Sequence, residues 1–266
     1  MRILSSLYGW LPIIFLISGK CYAAGRDCIH DDVMILPKDG YAIAYSPDHR
    51  CPMAVAWQIR KSDLSGKQSR RSLSFRTDYS TPAPRTRSRD YVRSGYDRGH
   101  MCPAADRKSS ITRYRATFIM TNVAPMCPAL NRGPWKVTED IARLAARRYG
   151  LVHARCGISL KISLRPSRVC NTKTSGTVIQ EQISSRITIP EWPELFIPTG
   201  FWKIIYTLQP DTLVSCWVFA NDSTCLSAGA GLVSLDSLRH VADSAYLPPF
   251  LRERGRQYKP LIKFDL

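Results

Sequence analysis

Tyr96-Asp97-Arg98-Gly99-His100-Met101-Cys102-Pro103 (YDRGHMCP) sets a carboxylate, a guanidinium, a glycine and an imidazole in consecutive positions. No other histidine lies within 50 residues of His100 on either side. A neutral imidazole titrates near working pH, so His100 is a candidate proton-transfer group whose second nitrogen Asp97 or a backbone carbonyl could orient. The four residues taken alone serve equally well as an Asp97–Arg98 ion pair at a strand end. The flanking chain has to decide between the two readings.

Upstream, MAVAWQIR (Met53 to Arg60) alternates like a half-buried strand, and the Ser/Pro/Arg-rich run from Ser80 to Arg89 reads as an exposed loop leading into the motif. Downstream, TFIMTN (Thr117 to Asn122) is a short apolar run suited to a buried strand. NRGPWKVTEDIARLAARRYG then predicts a helix. Pro134 stands in its first turn, Val137, Ile141, Leu144 and Ala145 form an apolar stripe, and Arg147 and Arg148 precede Gly150. GFWKIIYTL (Gly200 to Leu208) and LVSCWVFA (Leu213 to Ala220) read as core strands, and Ser234 to Ala245 as a second helix capped by Ser234. There is no repeat. The order is mixed α and β without the regular alternation of a doubly wound sheet.

The first residues, MRILSSLYGWLPIIFLISGKCYAAG, hold one arginine, an apolar run from Ile3 to Ser18 and small residues near Ala23, the layout of a secretory signal. We therefore expect a signal peptide over residues 1–23 and a single domain over residues 24–266. A retained anchor is the alternative, but the run is short for a span of ~20 residues and is broken by serines and a proline. Lys20 argues against lipidation of Cys21, and no other segment is suited to crossing a membrane. Loss of the leader removes Cys21 and leaves Cys28, Cys51, Cys102, Cys127, Cys156, Cys170, Cys216 and Cys225. An even set behind an export signal reads as disulfides in an oxidising compartment, and the absence of any C-x-x-C pair excludes zinc ribbons and thioredoxin-type redox sites.

The chain carries 38 Lys+Arg against 21 Asp+Glu, a formal charge of +17, which falls to about +15 once Arg2 and Lys20 leave with the leader. Much of the excess lies between Arg60 and Arg98, where Lys61, Lys67, Arg70, Arg71, Arg76, Arg85, Arg87, Arg89 and Arg93 face only four aspartates. Such a strip suits a polyanion held through its phosphates, with DNA and RNA as the expected partners. A solvated basic surface or one suited to anionic lipid is the alternative.

Asn122, Asn131, Trp135 and Glu139 decide the question. YDRGHMCPAADR followed by TNVAPMCPALNRGPWKVTE resembles the DNA/RNA non-specific endonuclease family, to which secreted bacterial nucleases and endonuclease G belong. His100 and Asn131 are 31 positions apart, Glu139 follows after 8 more, and Trp135 sits midway in N-x-x-x-W-x-x-x-E. IPTGFWKIIY and Val233 to Val241 extend the likeness over roughly residues 50 to 250. The resemblance implies an α+β fold of the ββα-metal type, a mostly antiparallel central sheet flanked by helices and braced by disulfides. It implies hydrolysis of DNA and RNA to 5′-phosphorylated products, with His100 as general base and Asn131 as the one protein ligand of a hydrated Mg²⁺, which Mn²⁺ could replace at an oxygen site. Glu139 would hold a cation-bound water, and Arg98 would contact phosphate or pair with Asp97 or Glu139. Arg71 is the expected upstream phosphate contact, with Arg70 and Arg76 as competitors. Asn122 would support the site by hydrogen bonding or simply satisfy a turn. Structural readings stay open for Asn131 as a helix cap and Glu139 as a solvated helix acid, whereas Trp135 is read as core.

Two departures from the family pattern are Met126, where glutamine is frequent, and Arg155-Cys156-Gly157-Ile158, where the family has Thr-Gly-Pro. Cys102 and Cys127 flank the motifs, so a disulfide between them would brace the site; a metal cluster of His100, Cys102 and Cys127 would select a softer ion than magnesium. The rival functions are a non-catalytic exported DNA-binding protein acting in uptake or transfer, and a secreted toxin sharing the nuclease chemistry. A homodimer is compatible with every reading.

Overall fold

The computed structural model describes residues 33–69, 73–162, 195–224, 227–253 and 257–261. The leader, Arg70, Arg71, Cys28, Cys170 and Cys225 lie outside the described residues. The strands are β1 (Met34–Lys38), β2 (Tyr41–Ser46), β3 (Cys51–Arg60), β4 (Asp97–His100), β5 (Val123–Met126), β6 (Leu151–Ser159), β7 (Gly200–Tyr206), β8 (Leu213–Ala220), β9 (Leu232–Val233) and β10 (Lys259–Pro260). The α-helices are α1 (Ile111–Ala116), α2 (Pro128–Arg132), α3 (Pro134–Tyr149), α4 (Leu235–Val241) and α5 (Pro249–Arg252). None of the described helices is long and apolar enough to cross a membrane.

The main sheet runs β1-β2-β3-β6-β7-β8-β10, with β9 also on β8, and every pairing but β8 with β10 is antiparallel. This is the expected mostly antiparallel sheet. Strand alternation assigns its two faces. From β6, Cys156 reaches Met101 next to the DRGH motif, and from β7, Lys203 reaches Thr138 of α3. On the opposite face Arg155 donates to Tyr246 O and Ser159 to Val241 O. The sheet is therefore a middle layer, with β4, β5 and α3 on one side and the α4 region on the other.

That layering corrects the half-buried reading of β3. Every residue from Cys51 to Ile59 is buried, because a central strand covered on both faces has no solvent side to alternate toward. The α3 helix has the expected bounds and ends at Gly150, whose φ of 81° suits glycine as the N–H turns back to Ala146 O. Its buried face differs from the expected stripe. Trp135, Thr138, Ile141, Ala142, Ala145 and Ala146 are buried, while Val137 and Leu144 are 44% and 60% exposed. Thr117 to Asn122 is not a strand either. Thr117 closes α1 with a hydroxyl bond to Tyr114 O, residues 120–122 form a 3₁₀ turn, and the strand begins only at Val123.

The expected disulfides are absent among the described cysteines: Cys51, Cys102, Cys127, Cys156 and Cys216 are separate buried thiols. Register explains why Cys102 and Cys127 cannot pair. In the β4–β5 ladder His100 opposes Val123 and Asp97 opposes Met126, so the two cysteines lie beyond opposite ends. At ~3.3 Å per residue they stand more than about 15 Å apart, against the ~4.4–6.8 Å between Cα atoms that a disulfide needs. The same separation rules out a metal cluster of His100, Cys102 and Cys127.

Gly99 sets how closely β4 approaches β5. A Cβ there would lie 2.7 Å from Met126 Cβ and 3.1 Å from Ala124 O. Gly99→Ala is expected to cost about 1–3 kcal/mol, a Tm fall of roughly 2–12 °C, because the β5 backbone has to move. Thermal unfolding followed by circular dichroism checks this, and an unchanged Tm would mean that the ladder can slide.

Candidate active site

Side chains alternate along β4, so Arg98 and His100 project from one side and Asp97 from the other. Asp97 therefore does not orient the imidazole. Its carboxylate accepts from Asn131 Nδ2 at 2.9 Å and from Arg132 Nε and Nη2 at 2.8 and 2.7 Å. The Arg132 side chain is 71% exposed, so this ion pair adds little stability, but its two-pronged geometry holds the carboxylate in place. For Asn131 the consequence is chemical. A carboxylate accepts only from the amide nitrogen, so Asp97 selects one of the two amide orientations and turns Oδ1 away from itself.

His100 is half-buried at the end of β4. Its ring lies 4.9 Å from Phe75 and 5.1 Å from Phe118, the latter edge-on, and these walls restrict its rotation. Phe75 is brought there by backbone bonds of Arg76 to Phe118 O and from Met120 to Arg76 O. The His100 carbonyl accepts from Trp135 Nε1 at 3.2 Å, tying the strand end to the first turn of α3. Trp135 is fully buried against Phe201 and Phe219, as expected of a core residue, yet its indole N–H reaches the motif.

Asn122 supports the bend after His100. Its Oδ1 accepts from Cys102 N at 2.9 Å, and its Nδ2 donates to Cys102 O and Thr117 O at 2.9 and 3.1 Å. Arg98 pairs with neither Asp97 nor Glu139, the partners the sequence suggested. Its Nε and Nη2 donate to Ser88 O at 3.1 and 2.5 Å, and its guanidinium stands 5.5 Å from the Tyr91 ring, so it ties β4 to the preceding turn. Of the three upstream arginines, Arg76 is exposed next to Phe75, with Nη2 donating to Arg115 O at 3.3 Å.

Glu139 lies one helical turn beyond Trp135, on the same side of α3. It is not a solvated helix acid, since its side chain is only 15% exposed. Burial pushes its carboxyl up to about 7, opposed chiefly by the Lys203 cation and reinforced by Asp106. Arg143 stands 3.9 Å from Glu139 but makes its short contacts with Asp106 at 2.9 Å and Asp140 at 2.6 Å. Asp106 in turn accepts from Trp57 Nε1 at 2.9 Å. The motif reading did not include Asp106, Arg143, Thr138 or Lys203. The available signal was Lys203 itself, a cation inside the apolar run GFWKIIY.

No group of three or more His, Cys, Asp or Glu among the described residues could hold a metal ion. The donors around β4 and α2 instead offer one oriented amide oxygen, Oδ1 of Asn131.

Comparison with known proteins shows the family. The family model for DNA/RNA non-specific endonuclease matches residues 29–247. The chain is 36% identical over 132 residues to a nuclease of Nostoc sp., covering 49% of this chain and 47% of that protein. It is 31% identical over 224 residues to human mitochondrial Endonuclease G, covering 82% of this chain and 71% of that one. The chain thus spans about half the length of the Nostoc nuclease. The crystal structure of an EndoG/EndoGI complex, concerned with EndoG inhibition, superposes with a TM-score of 0.64 at 21% identity over 78% of this chain and 83% of that chain, a likeness of fold.

Proposed function

Since the chain belongs to the DNA/RNA non-specific endonuclease family, we propose that it is an exported, divalent-cation-dependent endonuclease hydrolysing phosphodiester bonds of DNA and RNA. The observation that carries this reading is the joint placement of His100 and Asn131. Asp97 of the strand that ends in His100 orients the Asn131 amide, while Trp135 binds the His100 carbonyl.

The donor set fits a hard cation. Magnesium keeps several waters and takes one or two protein oxygens, and Asn131 Oδ1 can be one of them, whereas thiolates would favour softer ions. Asn131 would hold the cation and Glu139 one of its waters. Bound there, the cation would supply charge stabilisation at the scissile phosphate and at the departing oxygen. Manganese would serve at the same oxygens.

The chain's own residues do the rest. His100 takes the proton from the attacking water, its ring held between Phe75 and Phe118. Arg98, fixed by Ser88 O, would contact the phosphate from the His100 side of β4, and Arg71, with Arg70 and Arg76 as competitors, would be the upstream phosphate contact. The basic strip between Arg60 and Arg98 holds the backbone of either nucleic acid without reading bases. Export rests on the apolar leader.

Plasmid nicking by the leader-free protein tests the reading. We expect cleavage with Mg²⁺ and none with EDTA, while fluorescence polarisation at the same salt shows DNA bound in both. Tight binding without cleavage by folded protein in Mg²⁺ or Mn²⁺ would favour the non-catalytic DNA-binding function instead.

A further inference from the structure

We propose that Lys203 is a positioning residue for this site: its buried ammonium, facing Glu139, joins Trp135 and Thr138 of α3 to the sheet and so sets the first turns of that helix against His100. The inference rests on the nuclease reading and concerns a residue that the reading does not use.

Lys203 stands in the middle of β7, 1% exposed, with Cys156 of β6 and Trp217 of β8 as its cross-strand neighbours. A lysine is almost never buried this deeply without partners, because its ammonium loses its hydration. Its direct contacts, Thr138 and Trp135, both belong to α3. Nζ donates to Thr138 Oγ1 at 2.9 Å and lies 3.6 Å from the centre of the Trp135 ring. The Thr138 hydroxyl donates to Trp135 O at 2.7 Å, and the Trp135 indole N–H donates to His100 O. A continuous path thus leads from the β7 ammonium to the backbone of the proposed base.

Charge supports the same assignment. Of the groups facing Lys203, which also include Asp106, Cys156 and Arg143, Glu139 is its strongest electrostatic partner, and Lys203 is the strongest opposing Glu139's burial. Arg143 cannot fill that place, since its short contacts go to Asp106 and Asp140. Without Lys203, Glu139 would lose the cation that most opposes its burial and α3 would lose its bond to β7.

The test is a double-variant cycle of Lys203→Met and Glu139→Gln, measuring kcat and KM on a duplex oligonucleotide, Mn²⁺ binding by electron paramagnetic resonance, and Tm. Lys203→Met is expected to weaken Mn²⁺ binding and lower kcat by roughly 10- to 100-fold each, with KM within about threefold. In the Glu139→Gln background the same change should cost less than about threefold. Equal losses in both backgrounds, or a Lys203→Met protein with wild-type kcat and Mn²⁺ binding, would overturn the proposal. If Lys203→Met does not fold, the double variant, which removes both charges, should recover Tm, and a double variant as unstable as the single one counts against the pairing. A wild type that binds duplex without cutting it sinks the nuclease reading alone, and the Mn²⁺ and Tm cycles still decide on Lys203.

Discussion

Replacing His100 by alanine is expected to lower plasmid nicking by roughly 10²- to 10⁴-fold, the range a positioned general base contributes, while duplex binding stays within about twofold. Binding should survive because the basic strip, rather than the imidazole, meets the phosphates. Truncation leaves a gap between Phe75 and Phe118, so circular dichroism has to show a folded variant before the loss is read as chemistry. Added imidazole offers a sharper check. A small base diffusing into the gap should restore part of the activity to His100→Ala and none to an EDTA-treated wild type. A folded His100→Ala protein that nicks at the wild-type rate would remove His100 from the reaction.

The helix ends were legible in the sequence because local chemistry decides them. Pro134 and Gly150 bracket α3 at the expected places, and Ser234 caps α4 by accepting from Ser237 N. Of the residues in the family spacing, Trp135 bonds the His100 carbonyl and Asn131 bonds Asp97 of the same strand. What local pattern could not show was partner choice. Asp97 and Arg98 are neighbours in sequence, but strand alternation sends them to opposite sides, one to Asn131 and Arg132 and the other to Ser88 O. Likewise Val137 and Leu144 fit a helical stripe by period, yet the face of α3 that meets the sheet is fixed by Trp135 and Thr138. β3 looked half-buried because its small alanines alternate with larger residues, a pattern that packing on both faces also produces.

The cysteines show the same limit at longer range. Their even number behind an apolar leader argued for disulfides, whereas the five described ones behave as small buried hydrophobes. Burial pushes the Cys102 and Cys216 thiols up to about 12, leaving almost no thiolate to react. Free thiols of this kind can persist in an oxidising compartment, so their state does not weigh against export, and the bracing assigned to disulfides falls to hydrogen bonds. Asn122 does that work under His100. Asn221 does it at the other end of the ladder, where its Oδ1 accepts from Cys127 N at 2.8 Å and its Nδ2 donates to Pro125 O and Pro198 O at 3.0 and 2.9 Å.

Asn131→Ala and Asp97→Asn should both impair Mg²⁺-dependent cleavage, but in different ways. Alanine at 131 removes the one amide oxygen, and a cation that supplies several kcal/mol at the transition state would be lost from its place, a fall of roughly 10²- to 10³-fold. Extra Mg²⁺ should not recover it. Asparagine at 97 keeps the shape but offers a nitrogen as well as an oxygen, so the Asn131 amide can flip and Arg132 loses its charged partner. That change should raise the Mg²⁺ concentration for half-maximal cleavage by roughly 10- to 100-fold, as losses of a ligand's supporting bond do, with the maximal rate largely regained at saturation. Cleavage titrated against Mg²⁺ for both variants separates ligand from support. A Mg²⁺ requirement unchanged by Asp97→Asn would mean that the Asp97 contact is structural only, and full activity in Asn131→Ala would move the cation elsewhere.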